Sequence, residues 1–333
     1  MEHKARLFTS KIIGVGYEIH KTILLQLMLV CLLLCLTYES NTSPTRLSNF
    51  TIVDDNVYHM EMDQFKPGFI VYSDENSLKT SRGFETYDIV GSRTNGYREG
   101  IGGQAKFNGI YGFVQILADL IVVVDNGNDC LRQVDRTTRR SMAYIGRCVK
   151  YGGFVDGKDG RFNYPWSIIR NKKNRDQLLL ADTYAVRIVN IHTQEILPFV
   201  KSSDKLMGIR YLVQDDVGDL FVTVGNQIFK ISYALRSITH IAGGRSGYED
   251  ATLRSSRFSQ PRGLLLVGKD TLLVADHSNR EVRVLNLRTD NVKKLRLCPR
   301  GSLCLQFPTC LLMNGSSLYI GQKRSIVWTD CEW

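Results

Sequence analysis

The sequence predicts an all-β fold, a six-bladed β-propeller that follows a short N-terminal targeting segment. Three observations predict it: a repeat with a period of about 48 residues, short apolar runs between Gly and Asx turns, and many aromatic residues. The chain of 333 residues has 28 Gly, 15 Tyr and 14 Phe, which favours turns and strands over helices. With 43% hydrophobic and 23% charged residues, the composition excludes a wholly disordered chain and a multi-pass membrane protein.

Three segments of the chain repeat a pattern of Phe, Asp and Arg in the same order. The Asp follows the Phe by 18 or 20 residues, and the Arg follows the Asp by 5 or 7 residues. The repeat residues are Phe107, Phe162 and Phe258, Asp125, Asp182 and Asp276, and Arg132, Arg187 and Arg283. The three Arg are separated by 55 and 96 residues, and 96 is two units of 48, so a degenerate repeat lies between the second and third copies.

The length of the repeated region sets the expected number of blades. Residues 45–333 number 289, which divides into six units of about 48 residues. Degenerate copies of the repeat are visible near Pro67, Gly218 and Phe307. Radial repetition of four-stranded sheets at about 40–50 residues per unit is typical of a β-propeller. The prediction is therefore a six-bladed propeller over residues 49–333, with five or seven blades as alternatives.

The residues around the repeats carry a family resemblance. A Gly/Asp loop is followed by A-x-F-x-x-P and then by L-x-V-A-D with a downstream Arg, best seen in residues 260–263 (QPRG) and 274–276 (VAD) through Arg283. This pattern resembles the NHL-repeat family of β-propellers. The resemblance covers about 290 residues and implies a six-bladed propeller of the extracellular or lumenal type.

The repeat residues are predicted to be structural. Each repeat Asp follows an apolar run and precedes a polar turn, where a short carboxylate can accept backbone N–H bonds. The repeat Arg can pair with that Asp or with a neighbouring carbonyl, and the repeat Phe is expected to pack between blades. A residue needed once for chemistry should not recur in every blade, so Tyr or Met residues at unique positions are better candidates for function.

The first residues predict export. An apolar run at residues 23–36 follows four Lys or Arg residues, which fits a signal peptide or an uncleaved signal anchor. The expected organisation is a basic segment at residues 1–21, the signal peptide or transmembrane anchor at 22–38, a linker at 39–48 and the propeller at 49–333. The positive residues before the run stay cytoplasmic, so the propeller is expected to be secreted or held outside the membrane.

Sequons and cysteines agree with an oxidising compartment. Candidate N-glycosylation sites are Asn41, Asn49 and Asn314. Cys130 and Cys148 are expected on adjacent outer strands of one blade and are predicted to form a disulfide. Disulfides are also expected in the last blade, with pairing left open, among Cys298, Cys304, Cys310 and Cys331. A zinc site is disfavoured because these cysteines contain no CxxC pair.

No catalytic residue, metal site or cofactor is predicted. The sequence has no GxSxG, HExxH or P-loop motif, and its translocated His residues occupy unrelated repeat positions. These are His59, His192, His240 and His277. The favoured function is a protein- or glycan-binding module that uses its blade-end loops. The alternative is a metal-dependent hydrolase or lyase with its site in the propeller channel.

The charge favours acidic ligands outside the cytosol. The formal net charge is +10, and residues 1–40 contribute only +1 from four Lys or Arg and three Glu, which leaves +9 on the propeller. Such charge suits nucleic acid, anionic membranes or acidic ligands. Because translocation would separate the propeller from RNA, the expected partner is a protein or an acidic glycan, and no nucleic acid is expected.

Overall fold

A computed structural model describes residues 48–64, 66–148, 152–200, 203–295, 297 and 305–330. The expected targeting segment, Asn41 and three of the last-blade cysteines (Cys298, Cys304 and Cys331) lie outside the described residues. The described residues form 24 strands and four short 3-10 helices, so the chain is all-β there. None of the helices in these ranges has the length and apolar character needed to cross a membrane.

Five sheets have four or five strands each and follow one another along the chain. The first sheet contains β2 (His59–Met62), β3 (Ile70–Ser73), β4 (Ser77–Arg82) and β5 (Glu85–Gly91). The second sheet contains β6 (Gly100–Ile101), β7 (Ile110–Gln115), β8 (Leu120–Asp125), β9 (Cys130–Asp135) and β10 (Arg140–Ile145). The third sheet contains β11 (Pro165–Arg170), β12 (Gln177–Asp182), β13 (Ala185–Asn190) and β14 (Ile196–Val200). The fourth sheet contains β15 (Ile209–Gln214), β16 (Leu220–Val224), β17 (Gln227–Ile231) and β18 (Ile238–Gly243). The fifth sheet contains β19 (Pro261–Val267), β20 (Thr271–Asp276), β21 (Glu281–Asn286) and β22 (Asn291–Lys294).

A sixth sheet joins the two ends of the described chain. Its strands are β1 (Ser48–Asn56), β23 (Cys310–Asn314) and β24 (Ser317–Asp330), in the order β1-β24-β23. The 3-10 helices lie in loops between strands, at Gly102–Gln104, Asn126–Asn128, Asp204–Leu206 and Leu253–Ser255.

The six sheets are arranged radially as a β-propeller. One strand of each sheet contacts the corresponding strand of the next sheet, in the order β2, β7, β11, β15, β19 and β23, and β23 contacts β2 again. These inner strands therefore form a closed ring around a central channel. Within each sheet the neighbouring strands pair antiparallel, so the four-stranded sheets are simple meanders.

The closing sheet contains a chain reversal inside β24. The rings of Tyr319 and Trp328 lie 6.4 Å apart, whereas nine residues of extended strand would span about 30 Å. Gln322 Nε2 donates to Ser325 Oγ at 2.9 Å across the reversal, and Arg324 has a φ of 61°. The second half of β24 pairs with β1, which places a strand from the N-terminal side on the outer edge of this sheet.

The closing sheet differs from the six equal units that the sequence predicts. Five sheets have at least four strands, whereas the closing sheet has three and draws them from both ends of the chain. The physical reason is that β1 lies before the first repeat and supplies the outer edge that the last unit lacks. The structure therefore contains five complete blades and a smaller closing sheet, and not the six equal blades that the sequence predicts.

The core consists of apolar clusters between neighbouring sheets. Phe107 is fully buried among side chains of the first and second sheets, including Leu78 and Val123. Phe162 lies in the same way between the second and third sheets, and Phe258 between the fourth and fifth. The repeat Phe therefore covers the face that one sheet cannot bury alone.

The cysteines agree with the sequence in part. Cys130 and Cys148 form the predicted disulfide, which ties β9 to the chain just after β10. Cys310, predicted to be disulfide-bonded, is instead a free thiol that is buried on the inner strand β23. Its inner position explains the difference, because the side chain packs against Val57 in the ring and not at the exposed edge of the last blade.

Candidate ligand-binding site at the mouth of the channel

The repeat Asp and Arg form a buried ion pair in three blades. Both side chains of each pair are fully buried. The distances from Arg Nη1 to Asp Oδ2 are 3.3 Å for Arg132–Asp125, 3.0 Å for Arg187–Asp182 and 3.1 Å for Arg283–Asp276. Each Arg also donates to two backbone carbonyls of the loop before the inner strand, for example Arg283 to Arg257 O and Glu249 O.

The other oxygen of each repeat Asp holds the entry of an inner strand. Oδ1 of Asp125, Asp182 and Asp276 accepts a backbone N–H bond of 2.7–2.8 Å. The donors are Asn108, Asn163 and Ser259. Three residues after each donor comes a side chain at the channel mouth, namely Tyr111, Trp166 and Arg262. The repeat residues are thus structural and position residues that do not repeat.

Five successive sheets each place one side chain at this mouth. The residue is the second of the inner strand in four sheets and directly precedes β2 in the first. We call these residues the mouth cluster: Tyr58, Tyr111, Trp166, Arg210 and Arg262. Tyr58 is 8% exposed, and the others are partly buried.

The mouth cluster has an aromatic wall. The ring centroids of Tyr58 and Tyr111 lie 4.6 Å apart, and those of Tyr111 and Trp166 lie 4.3 Å apart. The guanidinium of Arg210 lies over the Trp166 ring at 5.2 Å from its centroid. Three rings therefore line one side of the mouth, and the cationic side begins where the wall ends.

Tyr211 follows Arg210 on β15 and is linked to the opposite side of the channel. It is 5% exposed, and its hydroxyl donates to the carbonyl oxygen of Tyr58. Because β15 and β2 are three positions apart in the ring of six inner strands, this bond crosses the channel. Burial raises the pKa of Tyr211 well above its ordinary value, so the hydroxyl remains a donor. We call the region around the mouth cluster and this hydrogen bond the cup.

The two arginines of the mouth cluster have no anionic partner among the residues that the structure describes. Neither guanidinium makes an ion pair or a hydrogen bond there, although Arg210 contacts the Trp166 ring. Within the same ranges, Arg262 Nε and Trp166 Nε1 are buried donors without an acceptor. Burial, then the charge of Arg262, lowers the pKa of Arg210. Buried donors and uncompensated positive charge are costly and are relieved by an anionic acceptor.

Tyrosine hydroxyls and a carboxylate lie at the rim of the cup. Burial, then the neighbouring Tyr111, raises the pKa of Tyr58 to about 12. Burial and the charge of Glu75 raise the pKa of Tyr111, so both phenols stay protonated at neutral pH. Glu75 itself is exposed. The rim therefore carries two protonated phenols beside the two arginines, and the charge of Glu75 acts on both phenols.

His277 adjoins the cationic side of the cup. Its Nδ1 lies 3.1 Å from the carbonyl oxygen of Pro308, and its ring packs on Phe307. Burial, then the charge of Arg262, lowers the pKa of His277 to about 4. The imidazole is thus neutral at pH 7, and with Nδ1–H donating to Pro308 its Nε2 is an acceptor.

Sequence reasoning placed the site only at blade-end loops and named none of the mouth cluster. The signal was present in the inner strands, where the Pro of Pro165-Trp166 and Pro261-Arg262 is kept and the residue after it changes. His277 was expected to be unrelated to the channel and instead lies close enough to Arg262 and Arg210 for their charges to lower its pKa.

The other predicted residues lie away from the cup. His59 and His240 pack edge-on against Phe113 and Phe229, and His192 is exposed beside Asp176. Asn314 is exposed at the end of β23, whereas Asn49 lies within β1. In the described ranges, no group of three His, Cys, Asp or Glu side chains could hold a metal ion.

A second, shallow pocket lies on the surface before β19. It is lined by Gly244, Arg245, Glu249, Arg254, Ser255, Ser256 and Arg257. Arg257 Nε pairs with Glu249 Oε2 at 3.1 Å, so the charge of Arg257 is already compensated in part. The lining of this pocket contains no aromatic side chain. It is a weaker candidate than the mouth cluster.

Comparison with known proteins identifies the fold. No family model and no curated protein matches the chain, so membership of the NHL family is not confirmed. Among solved structures, the chain is similar to an auxiliary nutrient binding protein from Bacteroides ovatus, with a TM-score of 0.62 and 13% identity over 88% of this chain and 74% of that one. It is also similar to virginiamycin B lyase from Staphylococcus aureus, with a TM-score of 0.54 and 10% identity over 85% of this chain and 98% of that one.

A third similar structure is the extracellular domain of a hybrid two-component system from Bacteroides thetaiotaomicron. The TM-score is 0.56, with 14% identity over 86% of this chain and 40% of that one. At these identities the likeness establishes a β-propeller and nothing further about the chemistry of the cup.

Proposed function

We propose that the protein is an exported or membrane-tethered propeller of the NHL type that binds a protein or glycan ligand in the cup at the mouth of its channel. The observation that carries the proposal is the mouth cluster, in which three aromatic rings adjoin two arginines that make no ion pair in the described part of the chain. Concave sites with aromatic walls and a few convergent polar groups are typical of ligand pockets.

Two further features support a binding role. The residues of the cup come from five sheets and change among Tyr, Trp and Arg. The Asp and Arg that recur unchanged in three sheets form buried ion pairs that hold the strands. Similar folds occur in a nutrient binding protein and in the extracellular domain of a sensor system. A ring of sheets that brings side chains from five sheets to one mouth is suited to recognition.

The closing sheet is proposed to act as the sixth blade. The reversal inside β24 gives it two antiparallel segments, and β23 and β1 flank them on either side. Its inner strand contacts those of the first and fifth sheets, as expected for a blade that completes the ring.

A metal-dependent hydrolase or lyase has less support. The cationic side of the cup carries Arg210 and Arg262, and their charges would repel a divalent cation. Metal analysis of the purified protein is a direct check, and a bound divalent cation would favour the enzyme.

The proposal is tested with the full chain expressed in secreting cells. We expect the propeller to reach the medium or the outer face of the membrane and to be glycosylated, with loss of one glycan in Asn314→Gln. The recovered protein is then screened against extracellular glycans and secreted proteins. We expect the bound ligand to be lost in Trp166→Ala and Tyr111→Ala.

Phe84→Ala is the matched control. Phe84 is 78% exposed in the turn between β4 and β5, at the opposite end of its sheet from the cup. A ligand that binds Trp166→Ala as tightly as the unaltered protein would place recognition elsewhere. A protein that stays in the cytosol without glycans would contradict export.

A further inference from the structure

We infer that Arg210 and Arg262 form a subsite for an oxyanion, a carboxylate, sulfate or phosphate group that belongs to the ligand of the cup. The inference rests on the proposed function and names the chemical group by which that ligand is held. It follows from two guanidinium groups on adjacent inner strands that make no ion pair in the described part of the chain.

Arg210 and Arg262 lie at the same level of the ring. Each is the second residue of its inner strand, β15 or β19, and these two strands contact each other. The N–H of Tyr211 donates to Thr223 Oγ1 at 3.1 Å, and the Thr223 hydroxyl donates to the carbonyl oxygen of Arg262 at 3.3 Å. These bonds connect the residue after Arg210 to Arg262, so the two backbone positions are fixed relative to each other.

The closing sheet holds the backbone of Arg262 on its other side. The N–H of Gly263 donates to the carbonyl oxygen of Thr309 at 2.8 Å. A β carbon at Gly263 would lie 2.7 Å from the Cα of Cys310, so glycine is needed for β19 and β23 to approach this closely. The Arg262 side chain therefore extends from a backbone that is held by both neighbouring sheets, which suits a preorganised contact.

The charges of the two arginines act on each other. Burial, then the charge of Arg262, lowers the pKa of Arg210, and the groups that oppose these effects are the phenols of Tyr211 and Tyr111. Burial raises the pKa of both phenols, so they are neutral at pH 7. His277 is neutral as well, because burial and then the charge of Arg262 lower its pKa to about 4. A bound anion would relieve the repulsion between the two cations.

The hydrogen-bond donors of both arginines are available to a ligand. The Arg210 guanidinium lies over the Trp166 ring at 5.2 Å from its centroid and makes no hydrogen bond within the described ranges. Arg262 Nε is a buried donor without an acceptor in the same ranges. A guanidinium presents its N–H groups in a planar fork that matches the oxygens of a carboxylate, sulfate or phosphate. One oxyanion between the two side chains would accept from both.

The arrangement is costly for folding, which distinguishes it from the structural arginines of the repeats. Each repeat Arg is buried against a carboxylate, as in Arg283–Asp276. The mouth instead sets two cations close together in a partly buried place, which destabilises the folded chain. Groups whose charges conflict in this way are typical of functional sites, where stability is given up for binding.

The test uses the full chain recovered from secreting cells and three small probes. Acetate, methyl sulfate and methyl phosphate present a carboxylate, a sulfate and a phosphate group, and chloride at the same ionic strength is the reference. Binding is followed by thermal unfolding and by intrinsic fluorescence, to which Trp166 beneath Arg210 contributes. We expect at least one probe to give a saturable signal at millimolar concentration and to raise the melting temperature. The preferred probe shows whether the ligand carries a carboxylate, a sulfate ester or a phosphate ester.

Variants assign the signal to the arginines. In Arg210→Gln and Arg262→Gln we expect the affinity for the preferred probe to fall at least about tenfold, as loss of a charged hydrogen bond predicts. Without a probe, both variants should unfold at the temperature of the unaltered protein or higher, because one of two repelling charges is gone. Arg288→Gln is the matched control, because Arg288 is exposed in the turn after β21, at the end of the fifth sheet away from the cup. It should bind the probe as the unaltered protein does.

Three results would overturn the inference. The first is the absence of a saturable response to all three probes. The second is an unchanged affinity in both glutamine variants, which would place the anion elsewhere, such as the pocket before β19. The third is a lower melting temperature of both variants without a probe, which would make the two arginines structural. In each case, a ligand from the screen that is lost in Trp166→Ala would leave the proposed function intact.

Discussion

The buried guanidinium groups of the repeats explain why the same residue types recur in three blades. Arg283 neutralises Asp276 and also ties two loop carbonyls, so one side chain fixes the turn after β20 and the loop before β19. Asp276 in turn holds the N–H of Ser259, three residues before Arg262 of the cup. Stability and the geometry of recognition are therefore linked through a single buried pair.

Replacement of this Arg should strongly destabilise the propeller. In Arg283→Met, the carboxylate of Asp276 remains buried without its cation, which is expected to cost about 3–5 kcal/mol in the free energy of unfolding. Chemical denaturation of purified protein measures it. The exposed Arg288→Met should change the free energy by no more than about 0.5 kcal/mol. A loss below 1 kcal/mol in Arg283→Met would show that the pair has little structural role.

The lowered pKa of His277 predicts a pH dependence of stability. The folded pKa is about 4, against an ordinary value of 6.5. Between these values the unfolded chain binds more protons than the folded chain, so the free energy of unfolding falls as pH drops through this window. Replacement by Gln removes the proton site, and Arg210, Arg262 and the Pro308 carbonyl keep their places around it.

The measurement compares the two proteins by denaturation at pH 7.5 and pH 5. We expect the unaltered protein to lose about 1–2 kcal/mol more than His277→Gln over this interval. Equal losses in both proteins would mean that His277 titrates alike in the folded and unfolded chains.

At the scale of elements, the pairing of β1 with β24 is the contact that the sequence could not predict. The pattern of Phe, Asp and Arg predicted an all-β repeat protein, and the buried repeat residues fulfil the structural roles expected of them. β1 carries none of that pattern, and its partner lies at the other end of the chain. The repeat period identifies the repeated units of the sequence, but it cannot show which strand pairs with the outer edge of the closing sheet.

An engineered cross-link tests this pairing. Ile52 and Ser325 face each other in the register of β1 and β24, and paired antiparallel strands hold Cα atoms at about 4.5–5.5 Å, within the range of a disulfide. In Ile52→Cys/Ser325→Cys we expect a disulfide and a gain of about 2–4 kcal/mol. Peptide mapping and thermal unfolding under oxidising and reducing conditions measure both.

The control shifts one partner by a single residue. In Thr51→Cys/Ser325→Cys, the two side chains should point to opposite faces of the sheet, because Thr51 pairs in regular register with the residue after Ser325 and strand side chains alternate. Efficient cross-linking in this control, or none in the first variant, would contradict the pairing.

At the scale of the whole molecule, the ring brings together residues that are far apart in sequence. Tyr58 and Arg262 lie 204 positions apart, and both belong to the mouth cluster. No local motif marks them, because each is a single variable position within its own unit. The fold class was therefore readable from repetition, whereas the candidate site became visible only where the repeats differ and the ring closes.

The pairing of β1 with β24 has a consequence for biosynthesis. Ser48 pairs with Trp328, so 280 positions separate these two partners. At about 5–20 residues per second, an emerging chain would wait roughly 15–55 seconds between making the first of these strands and making its partner. During that time β2 of the first sheet lacks its contact with β23 of the closing sheet. Pairing of strands over so long a sequence separation is also slow. Synthesis that stops before β24 would leave an open arc that exposes apolar surface, so the complete ring is a folding event of the finished polypeptide.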